Sequence, residues 1–208
     1  MQVTALIPAY NEAATITPVV ETVLRSALIK EVIVINDGST DLTADAARRA
    51  GARVIDLQTN LGKAGALLAG ARQAETEVVI LLDADLIGLQ PHHIQVLLEP
   101  VFYEGYDMTV GIFSSGRKQT DWAQWIAPFL SGQRALRRDI LLELRQYTDV
   151  RYGIDILLSS YARRKGYRVK YVPITHVSQL MKEEKLGFWP GVAARFKMYW
   201  QIIRTLGK

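Results

Sequence analysis

No cysteine occurs among the 208 residues, so neither a disulfide framework nor a thiolate metal site can be built. No apolar run approaches the roughly 20 residues that cross a bilayer. The opening Met1-Gln2-Val3-Thr4 has no basic stretch and runs straight into Ala5-Leu6-Ile7, unlike a secretion signal. These absences predict a cytoplasmic chain, with peripheral contact at the inner face of the membrane as its only route to a lipid. Neither sign of charge dominates. The net charge of +4 suits an anionic substrate or anionic lipid heads and does not argue for nucleic acid.

Nearly half of the residues are hydrophobic (49%) and 22% are charged, as in a globular chain with one well-packed domain. Strand-like and helix-like segments alternate through the first half, the signature of β-α-β units. Apolar runs predict strands at Val3–Ile7, Glu31–Ile35, Arg53–Asp56, Val78–Leu82, Met108–Phe113 and Arg168–Val172. Helices are expected after a Thr17 and Pro18 cap pair, from about Leu42 to Ala50, from the Asn60–Ala66 stretch to Gln73, from Pro91 to Tyr103, from Arg137 to Leu144, and from Gly153 to Lys165. Ser114 to Thr120 reads as a loop. Phe188 to Lys208 mixes aromatic and aliphatic residues with Arg195, Lys197, Arg204 and Lys208, predicting a basic amphipathic helix that packs on the domain or lies on a membrane surface.

The chemistry centres on Asp83-Ala84-Asp85, which directly follows the apolar run from Val78. Such a run fits a strand covered on both faces, and parallel sheets bind ligands at the carboxyl ends of their strands. Two carboxylates about 4 Å apart repel by roughly 4 kcal/mol at an effective dielectric near 20. A divalent cation reverses that sign, and hard oxygen ligands suit Mg2+ or Mn2+. The competing reading is that both aspartates cap the following turn. Pro8, Ala9 and Glu12 follow the first strand and Asp37 the second, so both loops should open on the same edge. There Asp37 could accept hydrogen bonds from a base, although Asp37 and Asp41 are also ordinary turn and cap residues. Lys63 enters a helix from a glycine-containing loop, where its ammonium and the helix N-terminus can face a diphosphate. The glycine spacing matches neither a P-loop nor a dinucleotide fingerprint. His92 and His93 open a helix and read as surface residues.

Ile7-Pro8-Ala9-Tyr10-Asn11-Glu12, Asn36-Asp37-Gly38-Ser39-Thr40-Asp41, Asn60-Leu61-Gly62-Lys63, Asp83-Ala84-Asp85 and Ser131-Gly132-Gln133-Arg134-Ala135 stand in the order seen in family 2 glycosyltransferases. The chain resembles that family over most of its length. Tyr152-Gly153-Ile154-Asp155 and the segment from Gly166 to Ile174 are similar to its polyprenyl-phosphate sugar synthase branch. The resemblance implies an α/β GT-A fold, a Rossmann-like, mainly parallel sheet between helices. It divides a single domain into a nucleotide-sugar half (1–113), an acceptor half (114–187) and the terminal helix (188–208).

By the same resemblance Pro8, Ala9, Tyr10, Glu12, Asp37, Lys63, Asp83 and Asp85 bind the donor, and Ser131, Gln133 and Arg134 bind the acceptor; Arg117 joins them as part of a cationic set, with Arg134, suited to phosphate. His176, at the end of the last strand, joins Asp83 and Asp85 as a third metal ligand. Asp155 is the candidate base, with stabilisation of a helix start as its alternative role. Many relatives in the lipid-phosphate branch have an apolar residue where Gln133 stands. The expected activity is metal-dependent transfer of a sugar from a UDP- or GDP-sugar. Polyprenyl phosphate is the leading acceptor and a small soluble hydroxyl compound the second. A nucleotidyltransferase would carry a glycine-rich basic loop in place of Pro8–Glu12, and a non-catalytic binding module would not need Asp83, Asp85 and Lys63 together.

Overall fold

The structure is a computed structural model that describes residues 2–114, 131–147 and 153–179. Its main sheet has seven strands in the order β3 (Arg53–Asp56), β2 (Ile29–Asn36), β1 (Val3–Ala9), β4 (Val78–Leu81), β7 (Arg134–Arg137), β6 (Met108–Ser114) and β8 (Val169–Thr175). β1 (Val3–Ala9) lies near the middle and pairs in parallel with β2 (Ile29–Asn36) and β4 (Val78–Leu81), so that Leu6 sits between Ile33 and Leu81. β3 (Arg53–Asp56) extends the sheet beyond β2, and β8 (Val169–Thr175) extends it beyond β6 (Met108–Ser114), both in parallel. These strands read as apolar runs because helices cover both faces of the sheet.

One face packs Val3, Ala5 and Ile7 under α1 (Ile16–Leu24), α2 (Thr43–Arg49) and α4 (Pro91–Tyr103), through Ile16, Val20, Ala47 and Leu97. The other packs Leu6, Ile33 and Leu81 under α3 (Gly62–Gln73), α5 (Arg138–Glu143) and α6 (Ile154–Lys165), through Leu67, Ile140 and Leu158. Each buried Val, Leu or Ile side chain here contributes about 1.5–3 kcal/mol by leaving water.

The structure corrects the sequence reading in four places. Arg134 to Arg137 is a strand, β7, where a helix start was expected at Arg137. It runs antiparallel between β4 and β6, with Ile80 opposite Ala135 and Val110 opposite Arg134. The helix behind it starts only at Arg138. At α1, Thr15 and not Thr17 is the cap residue. The Ile16 amide donates to the Glu12 carbonyl at 3.0 Å, and Pro18 falls in the first turn, where a missing N–H breaks no helical bond. His93 is buried, because its Nδ1 accepts the Gln90 amide at 3.0 Å and so caps α4. Burial, with His92 beside it, holds that imidazole below its ordinary pKa. Finally, β5 (Leu86–Ile87) and β9 (Ser178–Gln179) form a two-residue ribbon that no sequence pattern signalled.

Among the described residues no helix is long and apolar enough to cross a membrane. Arg117, most of the expected loop at 114–120, and the amphipathic segment from Phe188 to Lys208 lie outside the described residues.

Candidate active site

β1, β2 and β4 all end at one edge of the sheet, as parallel strands must. β7 runs the other way, so its leading residues, Ser131 to Gln133, reach that same edge as the chain enters the strand. The N-termini of α3 and α6 complete the ring. In this way Lys63, Asp83, Gly132 and Asp155, far apart in sequence, become neighbours.

Lys63 is the hub. Its Nζ lies 2.8 Å from Asp83 Oδ1 and 3.1 Å from Asp155 Oδ2, and all three side chains are mostly buried. Gln133 Nε2 donates to Asp83 Oδ2 at 2.8 Å, and Gln179 Nε2 donates to the same oxygen. Asp83 thus accepts three side-chain donors, one on Oδ1 and two on Oδ2. Burial pushes its carboxyl up, but the Lys63 charge and these hydrogen bonds outweigh burial and hold it below the ordinary carboxylate value. Asp155 goes the other way. Burial raises it, aided by the Asp83 charge, and Lys63 with Arg134 offsets only part of that rise. Burial disfavours the Lys63 ammonium, yet the two carboxylates hold its pKa above the ordinary lysine value. One ammonium shared by two carboxylates leaves this trio with a net negative charge, which explains why one aspartate is stabilised as an anion and the other is not.

Gly132 lies directly beneath the ion pair. A Cβ there would stand 2.4 Å from Lys63 Nζ and 2.5 Å from Asp83 Oδ2, so any side chain at this position must displace the ion pair.

The loops around this trio are braced against one another. Asp37 is buried and accepts the Leu61 and Gly62 amides at 2.7 and 2.9 Å, which caps the entry to α3. The Asp37 amide in turn donates to the Ala9 carbonyl at 2.9 Å. Asn11, with a left-handed φ of 56°, takes the Thr40 amide on its Oδ1 at 2.9 Å. The Glu12 amide donates to Thr43 Oγ1 at 2.7 Å, and the Glu12 carboxylate accepts the Thr15 hydroxyl at 2.7 Å. Asp41 accepts the amides of Ala13 and Thr43 at 3.2 and 3.0 Å. Burial raises the Asp41 carboxyl, and hydrogen bonds from Thr43 and Ala13 bring it below its ordinary value. Pro8 is half-buried at the end of β1, and Tyr10 presents an exposed ring at this rim.

Three of the residues expected on the acceptor side are enclosed in this structure. Gln133 and Arg134 have no accessible surface; Gln133 is held between Ser131 and Asp83, and Arg134 among Ser131, Met108, Asp155 and Ser159. Ser131 is buried too, and its hydroxyl donates to Gln133 Oε1 at 3.1 Å. The expected metal set is not gathered into one cluster, since no group of three His, Asp or Glu side chains able to hold a metal occurs among the described residues. Asp85 is half-buried on the turn before β5. His176 is exposed at a φ of 59° beyond β8, with its carbonyl against Gly88 across the ribbon. Gly132 and Gln179 escaped the sequence reading as site residues. Gly132 lies inside the Ser131–Ala135 motif, but only its closeness to Lys63 and Asp83 reveals its role, and Gln179 carries no sequence signal.

A family model described as Glycosyl transferase family 2 matches residues 4–162. An undecaprenyl-phosphate 4-deoxy-4-formamido-L-arabinose transferase of Pseudomonas paraeruginosa is 36% identical over 133 residues, which cover 59% of this chain and 38% of that protein. The chain thus matches well under half of that relative's length. An undecaprenyl-phosphate mannosyltransferase of Micrococcus luteus is 30% identical over 217 residues, covering 89% of this chain and 88% of its own length. The crystal structure of glucosyl-3-phosphoglycerate synthase from Mycobacterium tuberculosis in complex with Mn2+, UDP and glucosyl-3-phosphoglycerate matches with a TM-score of 0.70 and 23% identity, over 93% of this chain and 79% of that one.

Proposed function

The chain belongs to glycosyl transferase family 2 and has the GT-A fold, and on that premise we propose that it transfers a sugar from a nucleoside diphosphate sugar to the phosphate of a polyprenyl carrier. The observation that carries this reading is the Lys63 ammonium, held between Asp83 and Asp155 at the N-terminus of α3. A cation at a helix N-terminus on the ligand-binding edge of a sheet is suited to a diphosphate.

In the proposed reaction the bond between the sugar C1 and the diphosphate oxygen breaks, a bond from C1 to an acceptor oxygen forms, and nucleoside diphosphate leaves. Lys63 and the α3 dipole stabilise the charge that develops on the leaving group. Asp37 holds the Leu61–Gly62 loop in place beneath it, so this part of the site is formed before the donor arrives. Tyr10, Pro8, Ala9 and Glu12 line the donor side of the rim. A phosphate nucleophile is already an anion, so Asp155 orients it; a hydroxyl nucleophile would pass its proton to Asp155, whose raised proton affinity suits that task.

Bound Mg2+ or Mn2+ supplies charge neutralisation to the leaving diphosphate. Asp85 would hold it together with the donor phosphates and an edge of Asp83. Magnesium commonly takes only one or two protein carboxylates beside phosphates, so the residues present fit. His176 is left out of this proposed set. The M. tuberculosis enzyme of the same fold binds Mn2+ with UDP in one crystal and Mg2+ with UDP in another, which supports a UDP-sugar and either ion. The undecaprenyl-phosphate transferases among the relatives support the lipid phosphate acceptor and, with it, peripheral membrane contact.

The test begins with thermal shift against UDP-, GDP- and dTDP-sugars with and without Mn2+, since a ligand that binds only the native state raises the melting temperature. Nucleoside diphosphate release is then measured with a short-chain polyprenyl phosphate and with soluble acceptors. Stimulation by the lipid phosphate is expected. Stimulation by a soluble hydroxyl compound alone would replace the acceptor, and donor binding without release under any condition would make the chain a binding module.

A further inference from the structure

Arg134 is the largest side chain among the described residues to lie wholly out of solvent. Among those residues no carboxylate lies within ion-pair distance of its guanidinium. Its Nε donates to the Ser131 carbonyl at 3.0 Å, and Nη2 donates to the Asp155 carbonyl at 2.7 Å and to Ser159 Oγ at 3.0 Å. Nη1 points at the Met108 sulfur, 3.7 Å away. The Ser159 hydroxyl donates to the same Asp155 carbonyl at 2.9 Å.

A buried cation whose hydrogen-bond partners among the described residues are all neutral is costly, and an apolar side chain of similar volume would usually serve a core at least as well. What the guanidinium holds together is informative. Ser131 begins the segment over which the Lys63–Asp83 pair lies, and Asp155 stands in the first turn of α6. One planar fork fastens the two walls of the site to each other.

We propose that Arg134 is a positioning residue, whose buried guanidinium locks the first turn of α6 against Ser131–Gln133 and thereby sets the Asp155 carboxylate at its distance from Lys63. The charged groups facing Asp155 are Lys63 from α3, Asp83 from the tip of β4 and Arg134 from β7. Arg134 is the one among them that no ligand can reach. Its charge therefore stays in place through the reaction, while Lys63 is free to turn to a diphosphate. The kinetic consequence rests on the transferase reading above; the positional one does not.

The experiment compares Arg134→Met, which keeps length without charge, with Arg134→Lys, which keeps charge without the fork. Because displacement of a reacting group by about 1 Å can cost about 10²-fold in rate, R134M is expected to lower kcat by about that factor while leaving the donor KM within about threefold. R134K should recover part of the loss. On substrate-free protein, the Asp155 carboxyl is titrated by NMR and assigned with Asp155→Asn. Its midpoint should rise in R134M and rise less in R134K. Wild-type kcat and an unmoved Asp155 midpoint in folded R134M would overturn the proposal. So would equal losses in both variants with no change in the titration, since that pattern reports packing alone. Should R134M not fold, Ser159→Ala removes one hydroxyl from the same carbonyl and should lower kcat several-fold at constant KM, and an unchanged kcat there would count against the proposal in the same way. A wild type without any transfer activity would sink the transferase reading and still leave the titration to decide the role of Arg134.

Discussion

Gly132→Ala adds one methyl group at the most crowded point of the site. The new Cβ would lie 2.4 Å from Lys63 Nζ and 2.5 and 2.8 Å from the two Asp83 oxygens, each well inside van der Waals contact. Asp83 cannot retreat readily, being short and held by Gln133 and Gln179. Lys63 has a long stem and moves instead. Lengthening its 2.8 Å pair with Asp83 by about 1 Å weakens the attraction by about 1.5 kcal/mol at an effective dielectric near 20. Partial solvent access, 26% for Lys63 and 16% for Asp83, reduces that to about 1 kcal/mol. Loss of glycine entropy in the unfolded chain returns about 0.4–1 kcal/mol, and local overpacking costs about 1–3 kcal/mol. The variant should therefore fold with about 1–3 kcal/mol less stability, while an ammonium displaced by about 1 Å should cost about 10²-fold in kcat/KM. Chemical denaturation and nucleoside diphosphate release measure the two effects separately. Wild-type turnover in folded G132A would refute the claim that this ion pair must lie over residue 132.

Lys63→Met removes the shared cation from two mostly buried carboxylates; breaking a buried pair costs about 3–5 kcal/mol, which residual solvent lowers here to about 2–3. The depressed Asp83 pKa stabilises wild type above the ordinary carboxylate range, and that contribution is lost as pH falls through the depressed value. The melting-temperature gap between wild type and K63M should thus narrow on acidification, and a constant gap contradicts the pairing. Asp155 has a raised folded pKa, so its stabilisation is complete below the unfolded pKa and is lost as pH rises through the folded one. Asp155→Asn, which resembles the protonated acid, should then melt at or above wild type at neutral pH. Its transfer to a hydroxyl acceptor should fall about 10²–10⁴-fold, with a smaller fall for a phosphate acceptor. A large drop in melting temperature would reverse the inferred direction. Asp37→Ala strips the cap from α3 and should cost about 1–2 kcal/mol in a denaturation curve, whereas unaltered stability would make Asp37 a ligand residue only.

The parallel strands were legible because burial on both faces turns them into unbroken apolar runs, as in Val32–Ile35 and Val78–Leu82. β7 was not. Arg134-Ala135-Leu136-Arg137 is short, begins with an arginine and leads into a true helix, so local pattern favoured the helix; only pairing with two distant strands makes it a strand. The same blindness affected the acceptor set. Gln133 and Arg134 are polar residues that residue type alone places on a surface, whereas cover on both faces of the sheet and partners from distant elements enclose them. Asp83, Lys63 and Asp155 could be picked out singly by residue type and place. That one ammonium joins all three depends on the N-termini of two helices meeting at the sheet edge, which no spacing along the chain encodes. His93 is hidden for a simpler reason: at the third position of α4 its ring accepts the Gln90 amide, a place ordinarily held by Glu or Gln.

The reversed strand also bears on the order of assembly during synthesis. β1 to β4 can associate through short crossovers as soon as they leave the ribosome, whereas β7 closes only when Arg137 comes opposite Val78. Until then the nascent chain carries an open β4 border, a ready template for a stray strand from another molecule. The closing strand removes that hazard and, in the same motion, delivers Gly132 and Gln133 to a waiting Lys63 and Asp83. A half-made chain that can still mispair is thus one that lacks its chemistry.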